Sequence, residues 1–414
     1  MFERLPASLH PTTPPAGPHP APGRRTLTRV AALAAAGAVA LAACGGGSSP
    51  GTASPAIPSE GPSGSPAGAI TPVGSATTGA PAAGASSAAG GTTSGTAPTT
   101  PAGTGATGPS TPAAATSPFP GGLLIADRGN GRILALDPTG RVVWRFPVAG
   151  SLPPGQRFSA DDAFISPDGR SIVANDEFHQ VIDRIDIASR KLVWQYGHYG
   201  VAGSGKGSLH TPDDAYPLAN GDIVVADIRN CRILEIAPDK SIVRQWGRTR
   251  VCTDHAPTTF GNPNGDTPLP DGGLLITEIT GSRVVRLSAD GTVVFDIHVP
   301  VAYPSDAQLD ANGNVVVADF STHGQVVAVT PAGRLLWRYG PTSGPGRLDH
   351  PSLATPLPGG LVSINDDFRH RMIVVDPTSG RIVWQYGHTD QPGRAAGYLN
   401  TPDGHQPLPV GTRF

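Results

Sequence analysis

Six short β-rich runs each close on an acidic residue: Asp127, Asp176, Asp227, Glu278, Asp319 and Asp366, at intervals averaging about 48 residues. A unit of that length buries its apolar face only by stacking on copies of itself, so this repeat restricts the fold more than any other feature of the chain. The runs are Leu123-Leu124-Ile125, Ile172-Val173, Ile223-Val224-Val225, Leu274-Leu275-Ile276, Val315-Val316-Val317 and Leu361-Val362. Glycine-bearing turns such as Pro167-Asp168-Gly169 and Ala311-Asn312-Gly313 precede them, as hairpins require. A third strand follows each acid, as in Arg132-Ile133-Leu134-Ala135-Leu136. The fourth strand carries every tryptophan (Trp144, Trp194, Trp246, Trp337 and Trp384), with Phe295 in blade four, and these rings are expected in the core between sheets. Helical periodicity is absent. The expected fold is all-β: a six-bladed β-propeller of four-stranded antiparallel blades over residues 119–414.

The ends of the repeat support closure. The first copy starts at Gly121-Gly122-Leu123 without a proline-initiated first strand, and an orphan first strand, Thr401-Pro402-Asp403-Gly404-His405-Gln406-Pro407, follows the last copy. Joining it to residues 121–146 completes a blade from both ends and removes the exposed sheet edges.

The copy at 212–233, with its Pro212, Gly221, Val225-Ala226-Asp227, Asn230 and Arg232-Ile233 elements, resembles the NHL repeat, a six-bladed propeller family. Asp376-Pro377-Thr378-Ser379-Gly380-Arg381-Ile382-Val383-Trp384 is similar to the repeats of PQQ-type propellers. Six blades rather than the eight of quinoprotein dehydrogenases argues against a quinone cofactor. A further similarity, to bacterial aryl-sulfate sulfotransferases, is carried by aromatic-rich strand ends and by Pro402-Asp403-Gly404-His405.

Ahead of the repeat, Arg24, Arg25 and Arg29 precede an apolar run from Val30 to Ala43 that ends at Cys44, which is the pattern of a secretory signal. Leu41-Ala42-Ala43-Cys44 resembles a bacterial lipobox, and this implies cleavage before Cys44 (residues 1–43 removed) and lipidation of its thiol. The other reading is an ordinary signal peptide with an incidental cysteine. Arg24-Arg25-Thr26-Leu27 resembles a twin-arginine signal. Residues 44–118 are almost wholly Gly, Ala, Ser, Thr and Pro, with Glu60 the one charge, a composition expected to form a disordered tether. The expected location is therefore the bacterial cell membrane, lipid-anchored, with the propeller on the extracytoplasmic side and membrane contact only through the anchor. Cys231 and Cys252 fall at the same end of neighbouring strands, and an oxidising compartment favours a disulfide over the alternative of a metal pair. A net charge of −2 without any basic run argues against nucleic acid as a partner.

The features that break the repeat are the functional candidates. The six strand-closing acids are expected to cap turns through amides of the following loop, and so are the polar residues after each strand-initiating position: Asp161, Asp213, Asn264, Ser305, Ser352 and Asp403. The second reading of both rings is an ion at the channel mouth. Ten histidines fall on one face, which also has the longer crossovers, and long loops on a rigid scaffold are where binding resides. His210, Asp214, Asp266, Asp306, His350 and His405 form the expected ligand-binding face. His210, His350 and His405, beside inner strands, could hold a divalent metal at the channel mouth; no other cofactor is implied. The expected function is a binding module for a small molecule or an extracytoplasmic protein. The alternative is a propeller enzyme, either a metal-assisted lyase or hydrolase or a histidine-dependent group transferase, with His405 the first candidate for nucleophile.

Overall fold

The computed structural model describes residues 117–414. The leader, Cys44 and the tether through residue 116 lie outside the described residues. Among those described, 24 strands form six four-stranded antiparallel sheets. From the channel outward, blade three runs Pro212–Pro217, Ile223–Asp227, Arg232–Ile236 and Ile242–Trp246, and the other blades repeat this order. Blade one takes its inner strand from Pro402–Pro407, which pairs antiparallel with Leu123–Asp127 (Leu123 opposite Pro407, Leu124 opposite Gln406, Ile125 opposite His405). The six-bladed ring is thus closed by the last strand of the chain.

The second and third strands are apolar on both sides because each sheet is covered by a neighbour on either face. Successive residues of Leu123–Asp127 show this with a period of two. Leu124 and Ala126 pack with Ala163, Ile172 and Ala174 of blade two, while Leu123 and Ile125 pack with Met372 and Val374 of blade six. Each such buried side chain stabilises the ring by roughly 1.5–3 kcal/mol relative to exposure. Fourth strands are outermost, and the tryptophans correct the expectation of uniform burial. Trp144 is fully buried, covered by Phe414, whereas Trp194, Trp246, Trp337 and Trp384 are half-buried against the cores they flank. The indole N–H groups of Trp144 and Trp194 donate to Ile187 O (3.0 Å) and Pro238 O (2.9 Å), tying each blade to a turn of the next.

The strand-closing acids staple each blade to the crossover entering it. Asp227 Oδ1 accepts from His210 N at 2.7 Å, and Asp366, Asp127, Asp319 and Asp176 accept from Asp349 N, Asn400 N, Tyr303 N and Ser159 N. The expected partner was a backbone amide of the loop that follows, yet there Asp176 takes one from His179, while Asp127 and Asp227 accept from the side chains of Asn130 and Asn230. The reason is antiparallel geometry: the end of the second strand lies beside the start of the first. Arg132, Arg232 and Arg371 complete the staple through their Nε atoms. Cys231 and Cys252 are joined in a disulfide, Cα atoms 5.2 Å apart, which clips the crossover after blade three to that blade.

Candidate functional site

The inner strands present two successive residues to the channel rather than one. Register shifts interrupt the pairing at Asp213/Tyr216, Pro263/Asp266 and Pro304/Ala307, and Asp214 has φ +48°. Such a bulge lets neighbouring side chains share a face. One inward ring is therefore Asp161, Asp213, Asn264, Ser305, Ser352 and Asp403. Below it the next position carries Asp162, Asp214, Asp306 and Leu353, with Gly265 and Gly404 in the remaining blades. The expectation that the first ring caps turns is thus corrected. Its members are buried around the channel and bond across blades: Asn264 Nδ2 donates to Ser305 O (3.1 Å) and to Asp213, and Ser352 Oγ donates to Asp403 O (2.5 Å).

At the top of the channel the residue after each strand-closing acid turns inward. In blades one, three and six it opens a single three-residue 3-10 turn: Arg128–Asn130, Ile228–Asn230 and Asp367–Arg369. Arg128 reaches Asp161 (2.9 Å) and Asp403 (2.5 Å) through one nitrogen and Glu177 (2.9 Å) through another, with its guanidinium 4.6 Å from the Phe178 ring centre. Around this fork opens a cavity of about 330 Å³, walled by Phe178, Tyr303 and Phe320 and floored by Asp213, Asn264 and Ser305. A second cavity, about 10 Å³, lies among Asp162, Asp213, Asp214 and Asp306.

So many acids in one channel hold one another's protons. Burial, reinforced by Glu177 and Asp403, pushes Asp213 up to about 7. Burial also raises Asp306 to about 6, against hydrogen bonds from Gln308 and Thr267. Asp162, Asp214 and Asp266 rise well above the carboxylate range, through burial first and neighbouring carboxylates second.

Asp214 and Asp306 line the deeper cavity, and Asp266 is buried in the inner strand of blade four beside them. His210 and His350 contribute no side chain to either cavity. His350 bonds Asp349 and packs against Phe320 and Phe368, behind the mouth wall. His405 is 2% exposed and faces blade six rather than the mouth. Its Nδ1 pairs with Asn365 Oδ1 and its Nε2 lies 2.6 Å from Ser363 Oγ, so neither nitrogen is left for a ligand or a nucleophilic role. The fourth position of an inner strand points between blades, where other blades have Ala163, Ala215, Ala307 or Ala354. The three imidazoles therefore do not converge. The group of potential metal ligands that does, among the described residues, is Asp161, Asp162 and Asp213, each offering an oxygen within 4.8 Å of the others. Arg128, Glu177, Phe178, Tyr303 and Phe320 escaped the sequence reading. The signal was the column after the recurring acid (Arg128, Glu177, Ile228, Ile279, Phe320, Asp367), which holds five residue types in six blades beside a residue that hardly changes at all.

A closed ring of PQQ-like repeats with a polar channel and one elaborated mouth defines the class. Residues 179–402 match the family model described as outer membrane protein assembly factor BamB, and the chain belongs to that family. No curated protein matches the sequence. Among solved structures, a protein of unknown function from Bacteroides caccae is 17% identical with a TM-score of 0.50, covering 70% of this chain and 99% of its own. Virginiamycin B lyase from Staphylococcus aureus is 16% identical with a TM-score of 0.44, covering 63% of this chain and 78% of its own. A streptogramin B lyase is 16% identical with a TM-score of 0.45, covering 67% and 84%. At these identities the likeness concerns the fold alone. No helix among the described residues is long and apolar enough to cross a membrane.

Proposed function

We propose that the protein is a ligand-binding propeller that takes a small polar molecule into the mouth of its channel. The observation that carries this reading is the cavity of about 330 Å³ with a charged fork at one side and aromatic walls, a volume within the range of small-molecule sites. Arg128 and Glu177 would meet a charged or hydrogen-bonding group, and the rings of Phe178, Tyr303 and Phe320 would take the body of the ligand. The histidine-dependent transferase loses its candidate nucleophile with His405 enclosed between blades. In the same reading the leader is removed before Cys44, and the lipidated cysteine holds the propeller on the extracytoplasmic side of a bacterial membrane.

Both halves can be tested. In a ligand-observed NMR screen of small aromatic amines and carboxylates, compounds that bind the wild type should bind a Glu177→Gln/Phe178→Ala double variant about tenfold more weakly, a loss of about 1.4 kcal/mol. Both side chains are partly exposed, so the fold should tolerate the change. Equal affinities would place binding elsewhere. Cys44→Ala protein should appear in the extracytoplasmic soluble fraction; unaltered membrane retention and mass would refute the anchor.

A further inference from the structure

The deeper cavity differs in chemistry from the mouth. The charged groups that act most strongly on Asp214 are all carboxyls: Asp306, Asp162, Asp213 and Asp266. Asp214 is 3% exposed, lines the cavity, and its Oδ2 has no hydrogen-bond partner. A buried acceptor without a donor costs about 1–3 kcal/mol, and more when charged. The backbone makes room for these carboxylates where it could have filled the channel. A Cβ at Gly404 would land on the Asp162 carboxylate, and one at Gly265 would lie 2.7 Å from Asp306 Oδ1 and 3.1 Å from Asp214 Oδ2.

We propose that this cavity is a divalent cation site of the calcium class, with Asp162 and Asp213, whose oxygens converge, as its ligands and with Asp214 and Asp306 completing the carboxylate lining. Oxygen-only donors select hard cations over metals that prefer imidazole or thiolate. Between the two common hard cations, magnesium keeps several of its waters, and a space of about 10 Å³ has room for about one water-sized sphere. Calcium accepts direct carboxylate ligation in irregular geometry and so fits better. The four carboxylates come from blades two, three and five, so the ion would sit among strands of three blades. Asn264 and Ser305 line the same cavity and add neutral oxygens. The site shares Asp213, Asn264 and Ser305 with the floor of the mouth, but Phe178 and Glu177 do not line it.

The test uses the full chain purified without a polyhistidine tag. Elemental analysis should find one calcium per chain. After chelation and dialysis, calcium chloride should restore an unfolding midpoint higher by about 5 °C at near-neutral pH, with magnesium chloride giving less. Asp162→Asn and Asp214→Asn should each abolish that shift. Both variants should still fold, because each replaces a carboxyl group crowded by other carboxyls with a neutral amide of nearly the same size. Glu177→Gln/Phe178→Ala protein should bind calcium as the wild type does, which separates this site from the proposed ligand mouth. Two results would overturn the proposal: no uptake and no shift by the metal-free wild type at about 10 mM calcium, or a shift retained in the Asp162→Asn/Asp214→Asn double variant.

Discussion

Replacing Arg128 by methionine should destabilise the propeller by about 3–5 kcal/mol, the cost of breaking a buried ion pair from one side. Arg128 is 7% exposed and faces three carboxylates, two of them, Asp161 and Asp403, equally enclosed. Methionine fills the volume of the aliphatic stem but leaves those acids without their cation. Glu177 is partly exposed, so its share is screened by solvent and is the smallest. Lysine at 128 should recover only part of the loss, since a point charge cannot fork towards Asp161, Asp403 and Glu177 together. Urea denaturation at near-neutral pH measures the difference, provided the slope m is unchanged. The deficit should shrink as pH falls, since burial raises Asp161 well above the carboxylate range and its protonation removes the unpaired charge. A loss under about 1 kcal/mol would mean that Arg128 does not balance the mouth.

The second large effect belongs to His405 and appears on the acid side. Burial lowers its pKa to about 3 in the folded protein, whereas the unfolded chain titrates near the ordinary 6.5. The folded state therefore favours the neutral ring. Its stabilising contribution is complete above pH 6.5 and is lost as pH falls towards about 3, at about 1.4 kcal/mol per unit. The hydrogen bonds agree with a neutral ring. Asn365 Nδ2 donates to Pro402 O (3.1 Å), which leaves its Oδ1 to accept from His405 Nδ1–H and makes Nε2 the acceptor for the Ser363 hydroxyl. The raised carboxyls act in the opposite direction: Asp213 and Asp306 lose stability as pH rises through about 7 and about 6. The measurement is consequently a difference. Folding free energies of wild type and His405→Gln, followed from pH 7 down to about 4.5, should converge by about 2–3 kcal/mol, because glutamine keeps both hydrogen bonds and carries no titration. Parallel curves would show that the ring protonates freely in the fold.

Repetition made the architecture legible. Six acids, the tryptophan-bearing strands and the orphan strand at 402–407 suffice to set the blade number, the strand order and the closure, because each repeat is constrained by the same packing. The site was legible only as a face. Asp214, Asp266 and Asp306 were expected on the ligand-binding face, and the cavity beside Asp214 and Asp306 depends on a bulge that puts consecutive residues on one side. A strict alternation of strand faces does not anticipate such a bulge, and the same bulge turned the ring at Asp161 and Asp213 from caps into channel wall. His405 misled for the opposite reason. One position past the bulge, a side chain near the mouth in sequence points into the seam between blades. Arg128 and Glu177 went unread because their significance lies in charges brought from elsewhere in the chain.

The closing strand has a consequence in time as well as in space. Arg128 lies in the first blade and Asp403 in the strand that seals it, 275 residues later. A nascent propeller can build blades two to six from consecutive sequence, but blade one waits for residues 402–407, and so does the charge balance of the mouth. Until then Leu123–Asp127 is a bare edge open to any strand that comes near. Sealing the ring and finishing the mouth are thus a single late event. A chain that stops short of residue 402 lacks both the seam and Asp403.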